Sequence, residues 1–91
     1  MQLSTIDSAL DALRAGKPVL VADSADRENE GDAIISAELV SPEWMAWMVK
    51  NTTGFLCVPM EESRANDLDL PLMTTNNKDP HGTSYTISVD A

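Results

Sequence analysis

Between Asp23 and Asp32 the chain reads "DSADRENEGD", ten residues with five carboxylates (Asp23, Asp26, Glu28, Glu30 and Asp32) and one arginine, Arg27. Like charges packed this closely repel one another unless a cation or a positively charged group compensates. A hard divalent cation such as Mg²⁺ takes oxygen ligands, commonly one or two protein carboxylates with water or substrate oxygens completing the shell. If residues 27–31 are extended, Glu28, Glu30 and Asp32 alternate to one side while Arg27 and Asn29 project to the other. Arg27 could then grip a phosphate as a bidentate fork. The spacing is not that of an EF-hand, whose D-x-[DN]-x-[DN]-G run and closing glutamate are missing. On residue types alone, a solvated, charge-rich turn remains the other reading.

Other chemistry-bearing residues are few. Cys57, the single cysteine, lies in "GFLCV" and reads as a buried small hydrophobe, with no histidine placed in sequence to activate it. His81, the single histidine, reads as a surface loop residue. "TTNNKDPHGTSY" (74–85) offers hydroxyls and amides, Thr83 among them, that could line a site or form an ordinary polar loop. A net charge of −9 with six scattered Lys and Arg argues against nucleic acid as a partner, since phosphate backbones are held by clustered bases. No apolar run is long enough to span a membrane and no signal segment opens the chain, so no membrane partner and a cytoplasmic setting are expected.

The elements that must position these residues are legible as patterns. "STIDSALDALRA" (4–15) reads as an amphipathic helix with apolar positions at Ile6, Ala9, Leu10 and Leu13, Ser4 and Asp7 at capping-box spacing, and Gly16 as its stop. "PVLVA" (18–22) reads as a strand buried on both faces, and "AIISAEL" (33–39) as another. "SPEWMAWMVKN" (41–51) has Ser41 as N-cap and Pro42 at the first helical position. Its Trp44, Met45, Trp47 and Met48 form a stripe expected in a core or a subunit interface. "FLCVPM" (55–60) reads as a strand, "EESRANDLDL" (61–70) as a short helix with Leu68 and Leu70 packing near its end, 71–82 as a polar loop, and "TSYTISV" (83–89) as an alternating strand. The expected fold class is α/β, an α+β mixed sheet with covering helices, in one domain over 1–91.

"DRENEGD" (26–32) resembles a signature of the 3,4-dihydroxy-2-butanone 4-phosphate synthase family. The resemblance takes in the preceding strand and Asp23 and continues through "ISAE", "TGFLCVPM" (53–60), "LDLPLM" (68–73) and "GTSYTISVDA" (82–91), so it covers almost the whole chain. It implies the N-terminal half of the synthase fold and an enzyme of riboflavin biosynthesis. That reaction turns ribulose 5-phosphate into 3,4-dihydroxy-2-butanone 4-phosphate and formate, as a lyase using Mg²⁺ or Mn²⁺ to stabilise an enediolate. By position, the resemblance makes Glu28 the metal ligand, Arg27, Asp32 and Thr83 substrate-binding residues, and Asp32 with Glu30 the catalytic carboxylates. Cys57 falls where the family carries a cysteine near the pocket. Two features depart from the pattern: Ser24 and Ala25 stand where the family commonly has acids, and its later histidine ligand and glutamate fall beyond Ala91. The family also looks dimeric, which implies a homo-oligomer or a complementary C-terminal chain as partner. The alternative is a repurposed or non-catalytic domain that binds a sugar phosphate, a metal or another protein.

Overall fold

The computed structural model describes residues 3–76 and 84–90. They run in the order α1 (Ile6–Arg14), β1 (Val19–Ala22), β2 (Gly31–Ile34), α2 (Pro42–Asn51) and α3 (Glu62–Asp67). The chain divides into two units, Met1–Val58 and Pro59–Ala91. Helices beside a small antiparallel sheet make this an α/β chain of the α+β kind.

In the first unit, α1 starts where Thr5 takes the N-cap and its hydroxyl accepts the Ser8 N–H at 3.1 Å. The cap therefore lies one residue beyond the expected Ser4, because Ile6 is the first residue with helical geometry. The helix ends as a Schellman turn: the Lys17 N–H reaches the Ala12 carbonyl at 2.9 Å and the Gly16 N–H reaches Leu13 at 3.1 Å. Gly16 makes this possible with φ +75°, and a Cβ there would sit 3.3 Å from the Leu39 carbonyl oxygen. The turn lays α1 against β1, with Ala9, Ala12 and Leu13 half-buried. Ile6, on the same face by spacing, is 76% exposed.

β1 and β2 pair antiparallel with Val19 opposite Ile34, Leu20 opposite Ala33, Val21 opposite Asp32 and Ala22 opposite Gly31. Alternation therefore puts Val19, Val21, Asp32 and Ile34 on one face and Leu20, Ala22, Gly31 and Ala33 on the other. Two expectations change here. β1 is not buried on both faces: Leu20 is 78% exposed, since among the described residues the sheet is a two-stranded ribbon with α1 packed near β1. The second strand begins inside the acidic stretch, at Gly31, and stops at Ile34, where a turn over 37–39 replaces the rest of the expected 33–39 run. Ser36 drives that turn, its carbonyl and hydroxyl oxygens both accepting the Leu39 N–H at 3.3 Å.

α2 follows its sequence signals closely. The Ser41 hydroxyl accepts the Trp44 N–H at 3.2 Å and Pro42 occupies the first turn, where its missing N–H costs nothing. Thr52 closes the other end, donating its hydroxyl to the Met48 carbonyl, and Gly54 turns the chain away at φ +78°. The aromatic stripe does not form a core: Trp44 and Met48 are half-buried, while Met45 and Trp47 are exposed. The two indoles meet edge to face with centroids 5.7 Å apart.

Residues 55–60 form no strand, contrary to expectation. β-propensity measures how well a side chain fits a pleated surface beside a neighbour, and no described strand lies along this segment. Cys57 is accordingly exposed rather than buried.

In the second unit α3 ends on a Schellman turn, with Asp69 at φ +55° and the Leu70 N–H on the Ala65 carbonyl at 2.9 Å. Asp fills the place usually taken by glycine, since its short polar side chain tolerates the left-handed region. Leu70 is half-buried and Leu68 exposed, so only the former packs as expected. Of the alternating 83–89 run, the described residues 84–89 pair at a single antiparallel bridge, Leu72 to Thr86, rather than as a strand. Two hydrogen bonds flank that bridge, Met73 N–H to the Tyr85 carbonyl at 2.9 Å and Ile87 N–H to Pro71 at 3.0 Å.

Among the described residues, Ala65 is the one buried apolar side chain, and Phe55, Val58 and Leu20 are each more than 60% exposed. Local hydrogen bonding, rather than a core, therefore carries much of the order in each unit. Gly16→Ala should cost about 1–2 kcal/mol, the usual penalty for an L side chain in left-handed geometry. Urea titration followed by helical circular dichroism reads that loss, and an unchanged midpoint would contradict the role given to this turn.

Candidate functional site

The acidic stretch is the loop of the β1–β2 hairpin. The ladder extends one step past Ala22, with the Asp23 N–H on the Glu30 carbonyl at 2.7 Å, so Asp23 and Glu30 form the loop's base. Residues 25–28 then turn, and Asn29 returns the chain with φ +54°. The Ser24 carbonyl holds both sides of the turn, accepting Arg27 N–H at 3.2 Å and Asn29 N–H at 2.9 Å. Of the two readings the residue types left open, the turn is the one formed: 27–31 is not extended throughout, and Glu28, Glu30 and Asp32 do not simply alternate along a strand. Of the five carboxylates, Asp26 and Glu28 lie in the turn, Asp23 and Glu30 at its base and Asp32 in β2, and it is the Asp23 side chain that supplies local hydrogen bonds to the turn.

Asp23 is the residue on which the loop's hydrogen bonds converge. Its Oδ1 accepts the Ser24 N–H at 2.8 Å, and its Oδ2 accepts both the Glu28 N–H at 2.9 Å and Arg27 Nη1 at 3.0 Å. The same guanidinium nitrogen lies 2.7 Å from Glu28 Oε1. Arg27 thereby bridges two carboxylates and offsets the local excess of negative charge. The family resemblance takes in Asp23 without giving it a role; its position supplies one, since an aspartate at the last step of a strand, ahead of a turn, is placed to cap the turn's amides.

Electrostatics follow the same geometry. The Glu28 amide, then the Ser24 amide and Arg27, hold the Asp23 carboxyl below its ordinary value against a smaller opposing effect of desolvation. The hydrogen bond to Asp23 and the charges of Glu28, Asp23 and Asp32 push the Arg27 guanidinium upward, so it stays cationic throughout the physiological range.

The structure therefore brings Arg27 and Glu28 together directly. Asp32 stands in β2 opposite Val21, exposed and close enough for its charge to act on Arg27. Glu30 sits at the loop base, exposed, its backbone rather than its side chain tied to Asp23. Thr83 and His81 lie outside the described residues. Cys57 belongs to the irregular 55–60 segment and is exposed. Among the described residues, no three His, Cys, Asp or Glu side chains converge as a ready-made metal cage. Glu28 nonetheless fits a hard cation that keeps most of its waters: its side chain is 35% exposed and Oε1 carries the one ion pair to Arg27.

An α/β chain whose hairpin loop clusters an arginine with carboxylates is the class this geometry defines. A family model for 3,4-dihydroxy-2-butanone 4-phosphate synthase matches residues 7–91. The chain belongs to that family. It is 51% identical over 85 residues to the 3,4-dihydroxy-2-butanone 4-phosphate synthase of Candida albicans, covering 93% of this chain and 42% of the relative. It is 51% identical over 89 residues to the synthase of Oceanobacillus iheyensis, covering 98% of this chain and 43% of the relative. Among solved structures, a synthase in complex with two magnesium ions superposes with a TM-score of 0.90 at 47% identity, over 98% of this chain and 41% of that one. The chain thus spans about two fifths of the length of these relatives.

The pKa direction of Asp23 has a consequence that can be measured. A carboxyl whose folded value is depressed lends stability above its unfolded value, 3.8, and loses that contribution as pH falls through the folded value. Carbon-13 shifts of the Asp23 carboxyl should titrate below 3.8. A midpoint above 3.8 would show that the capping bonds are not formed in solution.

Proposed function

We propose that residues 1–91 act as the N-terminal half of one synthase domain in riboflavin biosynthesis, on ribulose 5-phosphate. The products would be 3,4-dihydroxy-2-butanone 4-phosphate and formate. The observation that supports this reading most is the pairing of Arg27 with Glu28 in a loop whose sequence matches the family's signature. Glu28 would hold Mg²⁺ or Mn²⁺; a solved relative carries two magnesium ions. The cation, when bound, supplies Lewis acidity to the sugar oxygens.

The chain's own residues have the remaining roles. Arg27, cationic at any working pH, would take the substrate phosphate in the planar, bidentate manner a guanidinium favours. Asp32 is fixed in a strand, so its carboxylate would hold a sugar hydroxyl and accept a proton with little reorganisation. Glu30, at the loop base, would serve as a second proton-transfer carboxylate, and Thr83 as a hydroxyl contact to substrate. The setting would be cytoplasmic, in keeping with a water-borne sugar phosphate; no described helix is long and apolar enough to cross a membrane. A second copy, or a chain supplying the C-terminal half, would cover exposed apolar side chains such as Leu20 and Phe55.

Incubation with ribulose 5-phosphate and Mg²⁺ should release formate, and Glu28→Ala should lower the rate by about two to three orders of magnitude, the scale for losing one group that stabilises developing charge. Binding of both ligands without formate would instead identify a non-catalytic sugar-phosphate domain. Sedimentation equilibrium at micromolar concentration should give a mass above the 9.9 kDa of one chain; a monomer would contradict self-association.

A further inference from the structure

We propose that Asp23 is a positioning residue: its carboxylate fixes the Glu28 backbone and the Arg27 guanidinium so that both side chains are presented on one side of the loop. The inference rests on the roles proposed for Glu28 and Arg27, and it adds Asp23 to them. Three donors converge on this one carboxylate: two backbone N–H groups and a guanidinium, at 2.8 to 3.0 Å. Its own N–H is tied across the hairpin to Glu30 at 2.7 Å, so the group that gathers the donors is itself anchored to the ladder. The Asp23 side chain is 22% exposed, against 58% for Arg27 and 35% for Glu28. It is thus the inner member of the trio, shielded while the other two face outward.

The consequence follows from geometry. Hydrogen-bond partners behind a metal-binding carboxylate orient it, and losing one commonly weakens metal affinity 10–100-fold. Asp23 acts one step further back, on the backbone that carries Glu28. Without it, the 24–28 turn keeps the Ser24 carbonyl bonds but loses the tie that pins Glu28 N–H beneath the ladder end.

The test compares the full chain with Asp23→Ala and Asp23→Asn, and with Asp26→Asn as a charge control in the same loop. Hydrogen exchange of the Glu28 amide should accelerate about tenfold or more in Asp23→Ala, while amides of α1 and α2 keep their rates. Asp23→Asn, which retains one acceptor oxygen, should recover part of that protection, and Asp26→Asn should match the parent. Calorimetric titration with Mg²⁺ should show affinity falling 10–100-fold in Asp23→Ala. Glu28 exchange unchanged in Asp23→Ala would overturn the proposal, as would equal acceleration throughout α1 and α2, which marks general destabilisation. If the parent chain binds no Mg²⁺, the metal role of Glu28 fails, while the exchange pattern still decides whether Asp23 holds the loop.

Discussion

A carboxylate at the end of a strand that collects the next turn's N–H groups is the interaction on which the loop's arrangement depends. Asp23 stands where the β1–β2 ladder gives out, and past that point the chain has no strand partner for its amides. Backbone donors left unsatisfied are costly where water is excluded and dynamic where it is not. The Asp23 oxygens resolve this for Ser24 and Glu28, and the leftover negative charge then draws in Arg27. Order passes from ladder to carboxylate to arginine and finally to Glu28, so the charge cluster is built outward from the sheet.

This ordering explains why a charge-dense loop can belong to a defined structure. Exposed ion pairs contribute little alone, because water competes for each partner and long side chains lose freedom. The Arg14–Asp11 pair on α1 is of that kind, with both side chains more than 70% exposed. In the hairpin loop, by contrast, the arginine is shared between two carboxylates, and one of these is already fixed by backbone donors. Strength here comes from the preset geometry of the acceptor rather than from the number of charges.

Legibility in the sequence divided along the range of the interactions. Signals acting within four residues were readable: Ser41 and Pro42 opening α2, Gly16 closing α1, and the short helix after Pro59. Signals depending on a neighbour far along the chain were not. The apolar runs at 33–39, 55–60 and 84–89 have strand character, yet a strand forms only beside another: among the described residues the first pairs only through Ala33 and Ile34, the last at a single bridge, and the middle one in no ladder. Arg27 and Glu28 were identifiable by likeness to a family signature, and their direct contact was not. The expected alternation of Glu28, Glu30 and Asp32 assumed an extended backbone, which the Ser24 carbonyl bonds and Asn29 preclude. A charge-rich turn was one of the two readings of this loop, but which carboxylate caps it depends on where the ladder ends, and that register is not written in the residue types.

The left-handed backbone at Asn29 also limits how this loop can drift over generations. Single-base changes in an asparagine codon reach aspartate, histidine, serine, threonine, tyrosine, lysine and isoleucine. Of these, aspartate and histidine share asparagine's tolerance of φ near +54°, while the β-branched pair would strain the backbone. Aspartate would add another negative charge between Glu28 and Glu30, where one guanidinium already serves two carboxylates. Histidine, neutral or cationic, is the replacement that meets both the stereochemical and the electrostatic demand, so heritable variation at this position has few open paths.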